Sequence, residues 1–559
     1  MVVARRLTED ENINVLVIEC GGDPPIEALL PLLFVTEPLT RLDWNFTSTY
    51  DSYAANSQPG NVTKLTSGKM LGGSSCMNHF IHVHGAPHDF NHWADVVNDS
   101  SWRYENVLPY FKKSEHLKDP VVENSPYVNY HGLDGPMGVA RQPSLAANPY
   151  LVSFGELGNK VILDVNGPDT LGFTQSMFML TDGVRQCSAY SYIRPVKDRK
   201  NLFVLRHTCA TKILFNKKKR AVAVEAYRNS QKYIFKASKE IILCTGVFKT
   251  PQLLMLSGIG HRNHLKSFDI KVIADLPVGD NWQDHQAISV VHRTDKSIVD
   301  PVVPLPNIIP FPVVNGLVSL NKTKPYGEYQ VFGLVIGKDT PYLLLACAIV
   351  FGYKPEICDS FNNQVLGSNS FYTLLTMLHP DSKGKIRLKS ADPLDDPEIT
   401  TDFYKKTSDL EKMVVFMKDY LRLSNTTFFT QVNASFIDPG FVECKNYTLG
   451  SDEFLRCYIL HATVSVYHST STCPMGSVVD SRLRVYCVSN LRVVDASVMP
   501  TIPSGNPNAA VMMIAEKASD MIKEDAHKFQ SCKELKKNCG SRIRLPEDRG
   551  NSTTETKEA

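Results

Sequence analysis

Apolar residues fall in short blocks, and the period changes from block to block. Val2 to Glu9 separates Val3 and Leu7 from the Arg5/Arg6 pair, as the end of an amphipathic helix does. Asn14-Val-Leu-Val-Ile-Glu19 follows, a continuous β-branched run that predicts a buried parallel strand ending in a carboxylate. Glu240-Ile-Ile-Leu-Cys-Thr-Gly246 repeats that pattern with a glycine at its end. Thr250 is expected to cap the next helix, with Pro251 in its first turn, Gln252 to Leu256 continuing it and Ser257-Gly-Ile-Gly260 stopping it. Ala509 to Lys523 reads as a late helix, and residues 526–559, rich in Lys, Glu, Ser and Thr, as a disordered tail.

The longest uncharged stretch, Pro301 to Leu320, is broken by Pro301, Pro304, Pro306, Pro310 and Pro312, so no integral membrane segment is expected. It reads instead as a loop or surface strand near an active-site entrance. With 559 residues and 43% hydrophobic content, the chain can build several domains or two large interwoven ones without a staple. Lys+Arg 60 against Asp+Glu 58 leaves a net charge of +2 and no basic stripe, which argues against nucleic acid as a partner. The 13 cysteines form no C-x-x-C pair, and no metal-ligating set is expected. Cys20 and Cys244, inside apolar runs, are expected to be buried free thiols, while Cys532 and Cys539 are candidates to pair in the tail. Asn45, Asn61, Asn98, Asn321, Asn425, Asn433, Asn446 and Asn551 each open an Asn-x-Ser/Thr acceptor. They favour an extracellular or secretory-pathway glycoprotein, although Met1 to Glu11 is charged and shows no signal peptide.

Three segments carry candidate chemistry. Gly68-Lys-Met-Leu-Gly-Gly-Ser-Ser-Cys-Met-Asn78 offers glycines and backbone amides that can cradle an anion or a flavin edge. The strand–Gly246–helix junction directs free amides toward a ligand at a sheet edge. Tyr467-His468 and Thr501-Ile-Pro-Ser-Gly-Asn506-Pro-Asn508 can bring an imidazole and an amide together around a hydroxyl. The hydrolase Gly-x-Ser-x-Gly elbow, the metalloprotease His-Glu-x-x-His and the Walker A pattern are all absent.

In this order the segments resemble the glucose–methanol–choline (GMC) oxidoreductases, FAD-dependent alcohol oxidases and dehydrogenases. Gly68 to Trp93 is similar to the family's first signature, and Gly246 to Gly260 to its second. Val107-Leu-Pro-Tyr-Phe-Lys-Lys-Ser-Glu115, Gly135-Pro136, Arg194-Pro195 and Val278 to His285 add to the match, and Gly384 to Pro393 resembles the glucose dehydrogenase and ecdysone-oxidase-like branch. The resemblance implies an α/β fold (α+β overall): a discontinuous Rossmann-type FAD-binding domain at 1–140, 185–290 and 470–525. A substrate domain with an antiparallel sheet flanked by helices would occupy 141–184 and 291–469. It implies FAD contacts at Glu19, Gly72, Gly73, Ser74, Asn78, Ala210, Asp495 and Ala496, and catalytic roles for His468 and Asn506. It also implies an alcohol, sugar or steroid-like substrate and oxygen or a quinone as electron acceptor.

The chain departs from the family in places. His468-Ser-Thr-Ser-Thr-Cys473 stands where His-Pro-Val-Gly-Thr-Cys is usual, and His82 and His84 replace a common Tyr and Arg. The strand and Gly-x-Gly-x-x-Gly turn that the family places before Val2 are not in the sequence. Two readings follow: a sequence lacking its first part, which is favoured, or a shortened relative unable to hold FAD. Two functions therefore stay open, an FAD-dependent CH–OH oxidoreductase and a degenerate GMC-like binding module without redox activity.

Overall fold

A computed structural model describes residues 1–36, 38, 40–295 and 305–540, with 35, 36 and 527–540 described as backbone alone. The expected parallel strands form. Val15–Ile18 pairs in parallel with Leu202–Leu205, and Ile241–Leu243 with Leu491–Val493. Residues of Val15–Ile18 and of Ile241–Leu243 both line one large cavity. Around these pairs pack the helix Val2–Leu7, the helix Tyr104–Ser114 and the late helix Asn508–Gly540. Their contact is pinned by a buried carboxylate: Glu516 accepts from Arg6 at 2.6 and 2.8 Å and from the Tyr192 hydroxyl at 2.9 Å.

The second layer is a seven-stranded antiparallel sheet in the order Ser435–Phe436, Gln286–Thr294, Asn369–Met377, Tyr329–Ile336, Val313–Val318, Gly172–Gln175, with Thr463–Ser465 also pairing Gln286–Ile288. Asn369–Met377 is buried along its whole length because apolar neighbours cover both faces. Helices Pro355–Val365, Thr407–Leu421 and Asp452–Ala462 supply part of that cover. The expected boundary at 290 falls inside Gln286–Thr294, which belongs wholly to this sheet.

Several expectations are corrected. The helix after Ile241–Leu243 runs Gly246–Leu256 with Thr245 at its N-cap, so Pro251 lies in its interior. Proline there lacks the N–H that would bond the Val247 carbonyl. That carbonyl instead accepts from the Thr472 hydroxyl at 2.9 Å, so no buried acceptor is left bare. Cys20 is not free but joined to Cys209, and Cys76–Cys187, Cys347–Cys358 and Cys444–Cys457 are further disulfides. Cys244 is a free thiol but not a packed one: it borders the large cavity, where desolvation pushes it up to about 11. The late helix continues to Gly540, across the first part of the segment expected to be disordered; residues 541–559 lie outside the described residues. So do 296–304, which include the first prolines of the 301–312 stretch, while Leu305 to Pro312 is irregular chain leading into Val313–Val318. The side chains of Cys532 and Cys539 also lie outside the description.

Candidate active site

One cavity of about 2150 Å³ is lined by residues of the parallel strands Val15–Ile18 and Ile241–Leu243 and by the loop that carries His468. Glu19, Gly72, Gly73, Ser74, Asn78, Ala210, His468, Asp495, Ala496 and Asn506 all line it. Its size exceeds what a single drug-sized ligand needs and suits an extended dinucleotide.

Glu19 closes the strand Val15–Ile18 and accepts from the Gly21 amide at 2.8 Å, with burial raising its carboxyl above the ordinary range. Ala210 sits in the strand Cys209–Phe215, opposite Ala226. Gly72 takes φ +96°, and a Cβ there would lie 2.6 Å from the Cys76 sulfur, so the turn before the short helix Gly73–Cys76 admits only glycine. The Ser74 hydroxyl accepts from the Gly68 amide at 3.1 Å and folds the loop onto itself. Asn78 Oδ1 accepts from the Phe80 amide and from Arg185, both at 3.0 Å. Asp495 ties the second signature to the first wall: its carboxylate accepts from the Gly246 amide at 2.9 Å, the Thr250 hydroxyl at 2.6 Å and the Ser497 amide at 2.9 Å. Gly246 has φ +80° and no atom within 4 Å of where a Cβ would stand, which leaves backbone open to a ligand.

His468 and Asn506 meet at the other end. Asn506 Nδ2 lies 3.0 Å from His468 Nε2, and its Oδ1 accepts from Gln330 Nε2 at 3.3 Å, which fixes the orientation of the amide. His468 Nδ1 lies 2.8 Å from His285 Nδ1. The other nitrogen of His285 is 3.1 Å from the Leu378 carbonyl, an atom that can only accept. His285 therefore carries its proton on Nε2 and receives one at Nδ1. His468 must supply it, so His468 is protonated on Nδ1 and bare on Nε2, the atom facing Asn506. Burial, with His79 nearby, lowers His468 to about 3, and burial holds His285 well below the histidine range. Both rings are neutral, and the lone pair of His468 Nε2 accepts from the Asn506 amide.

The loop that carries His468 is held from outside. Asp284 Oδ1 accepts from the His468 amide at 2.8 Å and the His285 amide at 2.9 Å, and Oδ2 from the Ser465 hydroxyl. Ser471, where the family has glycine, adopts φ +72°, a conformation that costs a side-chain-bearing residue about 1 kcal/mol or more. Pairing of Ser471 with the Ala496 carbonyl at 3.1 Å and of Thr470 with Gln283 overrides that preference. Asp284, His285 and Gln330 were not singled out as site residues from the sequence. The only signal for the first two was their place in the Trp282-Gln-Asp-His285 stretch.

The buried titratable groups make the fold acid-labile. His79, His292 and His379 are lowered to about 4 by burial, alongside His285 and His468. On unfolding near pH 5 these five take up protons. Asp89 and Asp284, raised by burial to about 6 and about 7, release theirs. The lowered histidines outnumber the raised carboxyls, so unfolding takes up protons on balance and stability should fall on acidification through pH 5. Denaturant midpoints between pH 7 and 4.5 check this; a flat profile would contradict the assignment of neutral buried histidines.

A discontinuous α/β dinucleotide-type half facing an antiparallel sheet, with glycine-lined walls and a neutral imidazole at one end, defines a flavoenzyme-like oxidoreductase scaffold. The GMC oxidoreductase N-terminal family model matches residues 47–287 and the C-terminal one 380–515. The chain belongs to the GMC oxidoreductases, and its cofactor is FAD. It is 34% identical over 545 residues to an ecdysone oxidase from Bombyx mori, covering 93% of this chain and 80% of that one. It is 30% identical to a glucose dehydrogenase [FAD, quinone] from Drosophila pseudoobscura pseudoobscura, covering 93% and 84%. Among solved structures, formate oxidase from Aspergillus oryzae superposes with a TM-score of 0.81 at 23% identity over 94% of this chain and 96% of that one, a likeness of fold.

Proposed function

We propose that this chain oxidises a CH–OH group, with His468 taking the hydroxyl proton. The observation that carries the reading is the tautomer fixed by His285 and Leu378, which leaves His468 Nε2 bare beside Asn506. A substrate hydroxyl that takes the place of the Asn506 amide at Nε2 donates to that atom. As its proton leaves, the Asn506 amide donates to the oxygen, stabilising the developing charge without competing as a base. Burial keeps His468 neutral and able to accept; charge gained on the oxygen then raises its proton affinity at the moment of transfer. FAD supplies the two-electron acceptor that no side chain provides. Glu19 and Ala210 at one end, Gly72 to Asn78 along the wall and Asp495 with Ala496 are the residues positioned to hold it.

A smaller apolar pocket shares His79 with the main cavity and is lined by Phe34, Phe178, Phe311, Phe332 and Phe351. At about 30 Å³ it has room for little more than a water, so the preference for a sterol-like skeleton over a free sugar is supported instead by the higher identity to an ecdysone oxidase (34%) than to a glucose dehydrogenase (30%). Asn45, Asn98, Asn321, Asn425, Asn433 and Asn446 are exposed and Asn61 half-buried, and four disulfides are formed. Both support a secretory route. No helix among the described residues is long and apolar enough to cross a membrane.

Purified protein should carry a yellow flavin that bleaches anaerobically with a sterol-like secondary alcohol, and faster than with glucose. Oxygen or a quinone should restore the colour, and which one acts faster names the acceptor. A colourless, folded protein that takes up no FAD would instead support the binding-module reading.

A further inference from the structure

A second cluster of ionisable side chains lies outside the cavity. His82, His84, Glu115, His131 and Asp164 are all buried, and none lines the cavity. His82 and His84 stand two residues apart on irregular chain, and both rings turn toward Glu115. The His82 amide donates to the Met177 carbonyl at 2.9 Å and the His84 amide to Asn166 Oδ1 at 2.8 Å, so the backbone beneath the rings is fixed. Both Nε2 atoms converge on one oxygen, Oε1 of Glu115, His84 at 2.5 Å. The other oxygen, Oε2, faces the Gly132 amide and His131 Nδ1, each at 3.2 Å. His131 Nε2 reaches Asp164 Oδ2 at 2.8 Å, and Asp164 Oδ1 accepts from Asn166 at 3.2 Å.

Hydrogen bonding alone serves this group poorly. Nδ1 of His82 and Nδ1 of His84 are buried without a partner, so each ring is aimed only by its Nε2. No Lys or Arg among the described residues pairs with either carboxylate, and His84 stands where the resemblance places an arginine. Two carboxylates in a dry interior are expensive unless positive charge meets them.

We propose that His82 Nε2, His84 Nε2 and Glu115 Oε1 bind a divalent transition-metal ion of the zinc class. The three donor atoms lie within 4.8 Å of one another. Tetrahedral ligation separates neighbouring donors by about 3.3 Å, so a small outward shift of the rings opens the site. His131, held between Glu115 Oε2 and Asp164, orients the ligating carboxylate from behind. One divalent ion balances both carboxylates and leaves the two ligating imidazoles neutral, as ligation requires. Nitrogen-rich donors select zinc-like ions over calcium or magnesium. With three buried protein donors the site is structural: it clamps His82–His84 to Glu115 behind the stretch whose start, Asn78 and His79, lines the cavity.

Elemental analysis of the untagged full-length protein after dialysis should find about one equivalent of such an ion per chain. Glu115→Gln and His84→Asn should each reduce it to background. Metal-stripped wild type given Co²⁺ should develop visible ligand-field bands, a readout independent of either variant's folding and of flavin content. Metal-free wild type with no Co²⁺ bands would overturn the proposal, leaving a proton-sharing cluster. So would a folded His84→Asn chain that keeps its full complement.

Discussion

His468→Ala should lower alcohol-dependent flavin reduction by about 10²-fold or more, measured anaerobically by stopped flow. The loss is one of proton acceptance, so flavin content should not change. Alanine also strips His285 Nδ1 of its donor and Asn506 of its acceptor, two buried groups whose exposure to nothing costs about 1–3 kcal/mol each. That structural cost has to be separated from the chemical one. His468→Gln does so, because a glutamine amide can still donate to His285 but cannot act as a base. If both variants lose the rate while thermal midpoints differ, the defect is chemical. Near-normal reduction in either would end the assignment of His468 as base, whatever the stability.

The ends of the cavity were legible in the chain to different degrees. Glu19, which lines the cavity, could be singled out only through the family resemblance, because an apolar run ending in a carboxylate is also an ordinary solvated strand end. Gly72 and Gly73 could be placed because left-handed backbone selects glycine locally. The start of the helix at Gly246 could not. Thr250 and Pro251 look like a cap and a first-turn proline, and only a hydroxyl from Thr472, far along the chain, makes an interior proline tolerable. Cys20 read as a core thiol because its partner Cys209 lies 189 residues away. The strand Asn369–Met377 shows no alternation, since both its faces are covered. His285 illustrates the same limit at the site itself: its role depends on the Leu378 carbonyl and the His468 ring, which come together only after the antiparallel sheet forms. The buried histidine cluster at Glu115 was equally hidden, since its residues sit on three separate loops and strands.

His285→Leu should cut the same rate by on the order of 10²-fold or more, although His285 does not line the cavity. Leucine removes the acceptor that keeps the His468 proton on Nδ1. The proton can then pass to Nε2, and Asn506 can turn its oxygen toward it by giving up the 3.3 Å bond from Gln330. His468 would remain in place but present a donor where the substrate needs an acceptor. Only the contact at the hydroxyl is altered, while the rest of the substrate site is untouched, so kcat should fall by far more than KM rises. A merely structural role would move both, with the loss tracking the thermal midpoint. His285→Gln separates the cases further: its amide oxygen can receive the His468 Nδ1 proton and its nitrogen can donate to Leu378. Most of the rate should return in that variant, and failure to return would mean that something other than the tautomer of His468 sets the speed of the reaction.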